Sequence, residues 1–273
     1  MTLNCRGQLV DLSSPKIMGI LNITPDSFYD GGKYDSIDSS LKQCEKLIKE
    51  GASFVDVGAI SSAPGANELT LEIEKQRLLP ILEKLLIEFP DCLFSIDTFR
   101  SEVAEESLKM GASIINDISG GDFDEKMLSV VGKYDSPFVL MHRKGDSKSM
   151  QTNPQYDNVV TEIILHLSDK VRIAHDNGIN DVIIDVGFGF GKTIKNNFDL
   201  LKNIHLFQSL DCPILSGISR KSMIWKYLDI SPEESLNGTT FLHAFALQGG
   251  TNLLRVHDVK SAKECIDLLQ ALS

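Results

Sequence analysis

Residues 110–117 read Met-Gly-Ala-Ser-Ile-Ile-Asn-Asp, and this order of residue types decides the fold. The glycine tolerates the left-handed conformation that ends a helix, and a short apolar strand closed by polar residues follows it. Similar stretches begin at Glu50, Asn177 and Gln248. The repetition predicts a chain of successive helix–turn–strand units rather than a solenoid.

Eight short segments rich in apolar residues are predicted as strands. Most are continuous apolar runs rather than strict alternations, which is the pattern of strands buried on both faces. This pattern favours a parallel sheet that is covered by helices. The predicted strands are Lys16–Asn22, Ser53–Val57, Leu93–Asp97, Ser113–Asp117, Phe138–Met141, Asp181–Asp185, Pro213–Gly217 and Asn252–Val256.

Amphipathic segments separate these strands and are predicted as helices. One of them begins at Ser231-Pro232-Glu233-Glu234, where a serine cap, a proline and two acids form a good helix start. The predicted helices are Ile37–Glu50, Leu71–Glu88, Glu102–Met110, Asp124–Lys133, Tyr156–Asn177, Asn197–Gln208, Ser222–Leu228, Pro232–Gln248 and Ala262–Leu269. Strand–helix units in this number predict an α/β fold of the (β/α)8 TIM barrel type, with residues 1–273 as a single domain. A doubly wound open sheet is the alternative.

Composition excludes several functional classes. The chain has 273 residues, of which 27 are Lys or Arg and 38 are Asp or Glu, so the formal net charge is −11. An acidic protein of this kind lacks the basic face that general nucleic-acid binding needs. The five cysteines are scattered and never form a CxxC pair, which argues against a disulfide framework or a thiolate zinc site. With no signal peptide and no run long enough to span a membrane, we expect a cytoplasmic protein without a membrane partner.

Polar residues stand at the carboxyl end of every predicted strand. In a parallel barrel these ends converge on one mouth, where the active sites of such barrels are built. We therefore expect a single site there. The strand-end residues are Asn22, Asp56, Asp97, Asn116, Asp117, His142, Asp185, Ser219, Arg255 and His257.

The strand ends divide into two chemical groups. Residues 219–222 (Ser-Arg-Lys-Ser) and 255–258 (Arg-Val-His-Asp) follow the last two strands, where barrel enzymes often bind phosphate. This clustering of cations indicates a phosphorylated anion as ligand. Opposite them, Asp97, Asn116 and Asp185 could form a metal site, a general-base pair or a recognition edge for a polar heterocycle such as an aminopyrimidinone. The residue types alone leave these three alternatives open.

Two glycine-containing loops border the predicted mouth. Residues 187–193 end in Gly-Lys-Thr like a nucleotide-binding loop, but Val186 stands where that motif requires glycine. We interpret this loop as a mobile lip that places Phe190 against a planar ligand. Residues 22–32 form a polar lid candidate in which Asn22, with Asp26 and Asp30, could help to hold Mg²⁺.

Several of these stretches together resemble the motifs of the dihydropteroate synthase family. The resemblance covers residues 16–260 and keeps the family's motif order. It implies a (β/α)8 barrel that forms a homodimer and joins 4-aminobenzoate to 6-hydroxymethyl-7,8-dihydropterin diphosphate in folate biosynthesis, with release of diphosphate. The matching stretches are residues 18–28, 95–98, 115–118, 141–142, 185–192, 219–222 and 255–258.

The resemblance also implies a role for each matching residue. Asp97, Asn116, Asp185 and Lys221 would hold the pterin. Arg255 would stack on it and, with His257, meet the diphosphate, and Asn22 would bind Mg²⁺. The aminobenzoate pocket, which sulfonamide drugs also occupy, would be shaped by Ser62, Pro64, Phe190, Lys221 and Ser222, and Phe28 and Asp30 would belong to the first loop. The implied catalytic set is Lys221, Arg255, His257 and Asp30.

The chemistry implied by the family agrees with these residue types. Cations and Mg²⁺ stabilise the charge that develops on a departing diphosphate. The dihydropterin can delocalise the resulting methylene cation, so an SN1-like path is expected. The arylamine then needs to be positioned more than activated.

The chain departs from the family's pattern at three places, one of which is Ala59-Ile60 in place of a usual Gly-Glu or similar pair. Ala63 replaces the arginine usual in the second loop, and Val186 replaces a usual proline. These departures leave room for a non-catalytic pterin-binding barrel, or for a variant that is insensitive to sulfonamides. A corrinoid-linked methyltransferase is a further alternative, but residues 219–222 and the lack of a cobalamin-binding extension argue against it.

Overall fold

A computed structural model describes residues 1–23, 33–59, 69–145 and 154–272, with the side chains of residues 33–36 excepted. Eight parallel strands close into a barrel in the order β10-β3-β4-β5-β6-β7-β8-β9. This confirms the predicted TIM barrel and rules out the open sheet. The strands are β1 (Thr2–Cys5), β2 (Gln8–Asp11), β3 (Lys16–Asn22), β4 (Phe54–Gly58), β5 (Leu93–Asp97), β6 (Ile114–Asp117), β7 (Phe138–Met141), β8 (Val182–Asp185), β9 (Ile214–Ser216) and β10 (Leu253–Val256).

Helices follow the barrel strands and cover the outside of the sheet. They are α1 (Lys33–Lys49), α2 (Leu71–Glu88), α3 (Ser101–Met110), α4 (Met127–Lys133), α5 (Val159–Asp176), α6 (Ile194–Lys202), α7 (Ser222–Leu228), α8 (Leu236–Gln248) and α9 (Val259–Ala271). In the described part of the chain, no helix combines the length and apolar character needed to cross a bilayer.

Leu71–Glu88 and Ser222–Leu228 have their predicted bounds, five other helices differ by up to four residues at an end, and two predicted helices differ in kind. The segment predicted as Asn197–Gln208 is α6, which begins earlier because the Thr193 hydroxyl caps it, followed by a 3-10 turn over Ile204–Leu210. The segment predicted as Pro232–Gln248 begins as a 3-10 turn over Glu233–Ser235. The Glu234 carboxylate accepts from the Ser231 backbone N–H, but the predicted serine cap makes no side-chain cap hydrogen bond, because the segment opens with the tighter turn and α8 begins after it.

Each barrel strand buries both of its faces. Outward-facing residues such as Val55, Ile96 and Leu140 pack under the helices in one large core. Inward-facing residues at the lower ends of the strands form a second core with the amino-terminal segment. This double burial explains why the strands read as continuous apolar runs. The inner core comprises Leu3, Cys5, Leu12, Met18, Phe54, Ile114, Val139, Ile183, Leu215 and Leu253.

An amino-terminal hairpin closes the lower end of the barrel and was not predicted. Strands β1 and β2 pair antiparallel around Arg6 and Gly7, both of which have positive φ. The Asn4 backbone N–H donates to the Asp181 carboxylate at 2.7 Å, and Arg6 Nη1 donates to the Gly111 carbonyl at 2.7 Å. The hairpin is thus fixed at the floor, and the polar site lies at the opposite end.

Candidate active site

The register of the sheet brings the polar strand ends to one height. Asp97 pairs with Gly58 on one side and with Asn116 on the other, while Asp56 pairs with Ser95. Because side chains alternate along a strand, Asp56 points to the barrel interior like Phe54, and Asp97 does so like Ser95. The convergence predicted from the strand ends is confirmed for these residues.

Arg255 lies between two carboxylates. Its Nε donates to Asp56 Oδ2 at 2.6 Å, and its Nη2 donates to Asp97 Oδ2 at 2.7 Å. Asn116 Nδ2 donates to the same Asp56 oxygen at 2.9 Å. The two carboxylates therefore orient the guanidinium, the amide holds one of these carboxylates, and charged hydrogen bonds of this length are the stronger kind.

Burial shifts the pKa values of this group. Desolvation, supported by the nearby Asp56, raises the pKa of Asp97 to about 7, although Arg255 opposes the shift. Desolvation also raises the pKa of Asp185. Burial disfavours the charged form of Arg255, but Asp56 and Asp97 outweigh it and hold its pKa above the ordinary value. The site therefore contains a permanent cation beside acids whose charge responds to what binds next to them.

Asp185 is held by the glycine loop that follows β8. Its Oδ1 accepts from the Gly187 backbone N–H at 2.7 Å. A Cβ atom at Gly187 would lie 1.9 Å from the His142 carbonyl oxygen, and one at Gly191 would lie 2.1 Å from that of Lys144. Both glycines also have positive φ. The loop is packed closely against the end of β7, which differs from the mobile lip that the sequence suggested, since close backbone approach is the reason for glycine here.

Phe190 and Lys221 face one another at the edge of the site. Lys221 Nζ lies 4.2 Å from the centroid of the Phe190 ring, and Phe190 packs against Met141. Burial, assisted by the neighbouring Arg255, lowers the pKa of Lys221 to about 8. The predicted placement of Phe190 beside the site is consistent with this contact, which gives a flat apolar wall next to a cation.

Lys192 anchors the glycine loop from inside. This lysine is buried, and its Nζ donates to Phe190 O at 2.9 Å, to His142 O at 3.3 Å and to His142 Nδ1 at 3.0 Å. Burial, with Lys192 as the next cause, lowers the pKa of His142 to about 2, so the ring is a neutral acceptor. His142, a strand-end candidate, thus supports the loop rather than the mouth.

The loops after β9 and β10 bring the remaining predicted residues together. Ser219 Oγ lies 3.1 Å from His257 Nδ1, and Arg220 pairs with Asp258. Burial, followed by the nearby Arg255, lowers the pKa of His257 to about 4, so its ring is neutral at pH 7. Ser222 is the first residue of α7, directly after Lys221. A helix start of this kind favours an anionic group.

Some predicted residues lie elsewhere. Asp117 accepts hydrogen bonds from Ser119 and Gly121 and so shapes its own loop. Phe28, Asp30, Ser62 and Pro64 fall outside the described residues, as do Asp26 and Ala63. Val186, which replaces a usual proline, is fully buried in the outer core.

Sequence reasoning missed three groups near the site. Asp56 was recognised as a strand end but received no role, although its spacing from Phe54 and Gly58 already places it inside the barrel. Lys192 was considered as part of a phosphate motif. Glu74 was not singled out at all, yet it is fully buried and accepts from Thr98 Oγ1 at 2.6 Å and from Arg100.

Asn22 is the described residue that fits the expected Mg²⁺. It ends β3 with an exposed side chain, and β3 pairs with β10, the strand that carries Arg255. In the described ranges no three His, Cys, Asp or Glu side chains form a metal-binding cluster. A single amide oxygen suits Mg²⁺ that keeps waters and phosphate oxygens as its other ligands.

Comparisons with known proteins agree with this geometry. A family model described as pterin binding enzyme matches residues 18–257. The dihydropteroate synthase of Escherichia coli strain K12 is 39% identical over 273 residues, which cover 99% of this chain and 96% of that protein.

Solved structures are similar over their whole length. The Yersinia pestis dihydropteroate synthase with a sulfonamide drug complex has a TM-score of 0.93 at 36% identity, covering 100% of this chain and 99% of that one. The Xanthomonas albilineans enzyme with 4-aminobenzoic acid has a TM-score of 0.91 at 36% identity, covering 99% and 97%. The same enzyme in complex with 7,8-dihydropteroate gives 0.88 at 33% identity, covering 100% and 98%. The chain therefore belongs to the family of pterin-binding enzymes and, within it, to the dihydropteroate synthases, which are transferases.

Proposed function

We propose that the chain condenses 6-hydroxymethyl-7,8-dihydropterin diphosphate with 4-aminobenzoate, giving 7,8-dihydropteroate and diphosphate. The observation that carries the proposal is the position of Arg255, which is held by Asp56 and Asp97 at the barrel mouth. It places a permanent cation next to acceptors for ring N–H groups. A relative solved in complex with 7,8-dihydropteroate, the product of this reaction, supports the proposal.

The pterin lies, in this proposal, among Asp97, Asn116 and Asp185. Carboxylates accept from ring N–H and amino groups, while the amide can both donate and accept. All three side chains are at least nine-tenths buried, which strengthens hydrogen bonds to a flat heterocycle. Of the three alternatives left open for this trio, recognition of a heterocycle agrees best with these contacts.

The reaction breaks the C–O bond to diphosphate and forms a C–N bond to the arylamine, which then loses a proton. Charge develops on the leaving oxygens, and the preorganised cations Arg255 and Lys221 stabilise it. The His257 ring, neutral before the ligand binds, gains an anionic neighbour and takes part as a hydrogen-bonding group. The electron-rich dihydropterin stabilises the methylene cation of an SN1-like path, so no protein nucleophile is required.

We propose Asn22 as the protein ligand of Mg²⁺. The ion, when bound, neutralises part of the charge on the diphosphate oxygens. Asn22 lies on the same face of β3 as the inward-facing Met18, on the strand next to β10. Metal binding by Asn22 is testable apart from turnover, because Asn22→Ala should weaken the Mg²⁺ dependence of diphosphate-substrate binding in calorimetry.

The second substrate occupies, in this proposal, the edge formed by Phe190, Lys221 and Ser222. The Phe190 ring provides the flat wall, and the start of α7 with Lys221 provides positive potential for the carboxylate. Phe28 and Asp30 of the first loop and Ser62 and Pro64 of the second are proposed to complete this pocket. Sulfonamides, which one relative binds, are proposed to compete there.

We also propose that two copies assemble through α8. Phe241 and Phe245 are 61% and 50% exposed, and their ring centroids are 5.0 Å apart. Adjacent exposed aromatic side chains are costly in water and favour an interface. A second copy of this chain is the proposed partner, and equilibrium sedimentation of Phe241→Ser tests it.

The free thiols of all five cysteines are consistent with a reducing compartment, and we propose the cytoplasm.

The proposal treats the whole chain as one functional unit. It is tested by measuring steady-state turnover of the purified chain with both substrates and Mg²⁺. Release of diphosphate that depends on 4-aminobenzoate is the expected result, and a sulfonamide should inhibit it competitively. Binding of the pterin diphosphate in calorimetry without release of diphosphate would instead favour the non-catalytic pterin-binding barrel. That alternative is favoured by Ala63, which stands where the family usually has an arginine.

A further inference from the structure

Asp56 makes contacts that go beyond filling the barrel. Its carboxylate is fully buried, and its Oδ2 accepts from both Arg255 Nε at 2.6 Å and Asn116 Nδ2 at 2.9 Å. Its other oxygen, Oδ1, has no hydrogen-bond partner among the described residues. Burying a carboxylate is costly unless it holds charged or polar groups in place. Asp56 therefore carries a cost that its contacts must offset.

We propose that Asp56 is a positioning residue of the active site, which aligns Arg255 and Asn116 for the pterin diphosphate. The proposal rests on the proposed function. One oxygen of Asp56 receives donors from β10 and β6, which lie on opposite sides of β4 in the barrel order. Asp56 thus fixes the cation relative to the amide across the barrel.

The contacts leave Arg255 partly free for a ligand. A guanidinium has five N–H groups, and Asp56 takes the one on Nε while Asp97 takes one on Nη2. The other three N–H groups, one on Nη2 and two on Nη1, make no hydrogen bond within the part of the chain that the structure describes. Because the guanidinium is planar, holding Nε and Nη2 fixes the plane of the whole group. Without Asp56, Arg255 would keep a single carboxylate and could rotate about that contact.

Asp56 also acts on the charge of Asp97. Among the described residues, the charged and titratable groups with the largest effect on Asp97 are Arg255, Asp56, Asp117 and Glu74, and the charge of Lys221 interacts with Asp97 as well. Of these, Arg255 lowers the pKa of Asp97, whereas Asp56 raises it after burial. Removing the charge of Asp56 while keeping its shape should therefore let Asp97 stay ionised at lower pH.

The structure provides a variant that separates charge from shape. In Asp56→Asn the amide oxygen can still accept from Arg255 and Asn116. The new NH2 group takes the place of Oδ1. Residue 56 is paired in register with Ser95, and the Ser95 hydroxyl also lacks a hydrogen-bond partner among the described residues. In Asp56→Ala both acceptors are lost. A matched control is Asp181→Asn, at the other end of the barrel, where the carboxylate accepts from the Asn4 backbone.

The experiment measures kcat and both KM values against pH for the wild type and the three variants. Asp56→Ala should raise the KM for pterin diphosphate at least about tenfold, with the KM for 4-aminobenzoate within about twofold, as expected for a lost substrate-positioning contact. Asp56→Asn should move the acidic limb of kcat/KM to lower pH by roughly half a unit or more, as loss of a neighbouring like charge does. Asp181→Asn should match the wild type.

The outcomes separate the two proposals. If the wild type turns over but the profile of Asp56→Asn coincides with it and Asp56→Ala keeps its KM, Asp56 has no positioning role. If the wild type does not turn over, the proposed function fails, and calorimetric binding of pterin diphosphate to the same variants still tests Asp56. Should Asp56→Ala fail to fold, the pH profile of Asp56→Asn, which keeps the acceptor, decides alone.

Discussion

Arg220 and Asp258 form a two-point ion pair that joins the loops after β9 and β10. Arg220 Nε lies 2.8 Å from Asp258 Oδ2, and its Nη2 lies 2.8 Å from Oδ1. Arg220 has a φ of 55°, a left-handed conformation that is uncommon for a residue with a side chain. Its backbone N–H donates to Thr239 Oγ1. These contacts hold a strained residue in place between Ser219 and Lys221, both of which belong to the site.

Replacing the guanidinium of Arg220 should impair substrate binding, although Arg220 itself is not proposed to contact substrate. Arg220→Lys keeps the charge but loses the bidentate geometry, so Lys221 should be held less well. We expect an increase of roughly tenfold in KM for at least one of the two substrates, since Lys221 is proposed to contact both, and a loss of about 1–2 kcal/mol in the free energy of unfolding. Steady-state kinetics and urea denaturation measure these. Unchanged KM values in a variant of lowered stability would limit the pair to a structural role.

Lys192→Met should change how stability depends on pH. Burial lowers the folded-state pKa of Lys192 from 10.5 to about 7. Between these values the unfolded chain binds a proton that the folded protein does not. The contribution of this group to stability is therefore complete above pH 10.5. It is lost progressively as the pH falls from 10.5 through the folded-state pKa of about 7, by about 1.4 kcal/mol per pH unit at most.

The Met variant has no such proton, so its stability should fall less between pH 10 and 7 than that of the wild type. It should also be less stable overall, because the carbonyls of Phe190 and His142 lose a donor. Urea denaturation at several pH values gives both slopes. Equal slopes would mean that Lys192 keeps its proton in the folded protein throughout this range.

Glu74→Gln should destabilise the protein near the site. The Glu74 carboxylate is fully buried and binds Thr98 and Arg100, whose Nη2 also donates to the Leu69 carbonyl at 2.5 Å. Removing its charge leaves the guanidinium of Arg100, which is 20% exposed, without a carboxylate. We expect a loss of about 2–4 kcal/mol in the free energy of unfolding.

The matched control for Glu74→Gln is Glu102→Gln. Glu102 also pairs with a cation, Lys75 at 3.0 Å, but its side chain is 63% exposed. An exposed pair of this kind contributes less than about 1 kcal/mol. Thermal and urea denaturation of both variants should therefore differ clearly. Similar losses in the two would show that burial does not decide the contribution of the Glu74 pair.

The barrel could be predicted from the sequence because its strands are buried on both faces. Lys16–Asn22, Leu93–Asp97 and Phe138–Met141 were predicted with their observed bounds, and the other five barrel strands differ by a residue or two. The hairpin was missed because its strands are short and half-exposed. The sequence signal of the hairpin is the Arg6-Gly7 pair. This pair is a recognisable two-residue turn and lies between two short segments that contain apolar residues.

The partners within the site could not be predicted. Strand ends indicate which residues share the mouth, but not that Arg255 would choose Asp56 and Asp97, because that choice depends on register across neighbouring strands. His142 and Asp117 illustrate the same limit. Both stand at strand ends, yet one accepts from Lys192 and the other binds its own loop. Periodicity assigns a residue to a face, and tertiary packing assigns its partner.

The hairpin should contribute to stability far more than its position at the chain end suggests. Leu3 is fully buried in the inner core beneath the site, where it packs with Met18 and Phe54, whereas Leu9 on the second strand is 71% exposed. Leu3→Ala removes the same atoms as Leu9→Ala, but the first also leaves a cavity between β1 and the barrel floor. We expect Leu3→Ala to lower the free energy of unfolding by about 2–4 kcal/mol, and Leu9→Ala by less than about 0.5 kcal/mol. Urea denaturation measures both, and equal losses would mean that the hairpin does not pack on the barrel in solution.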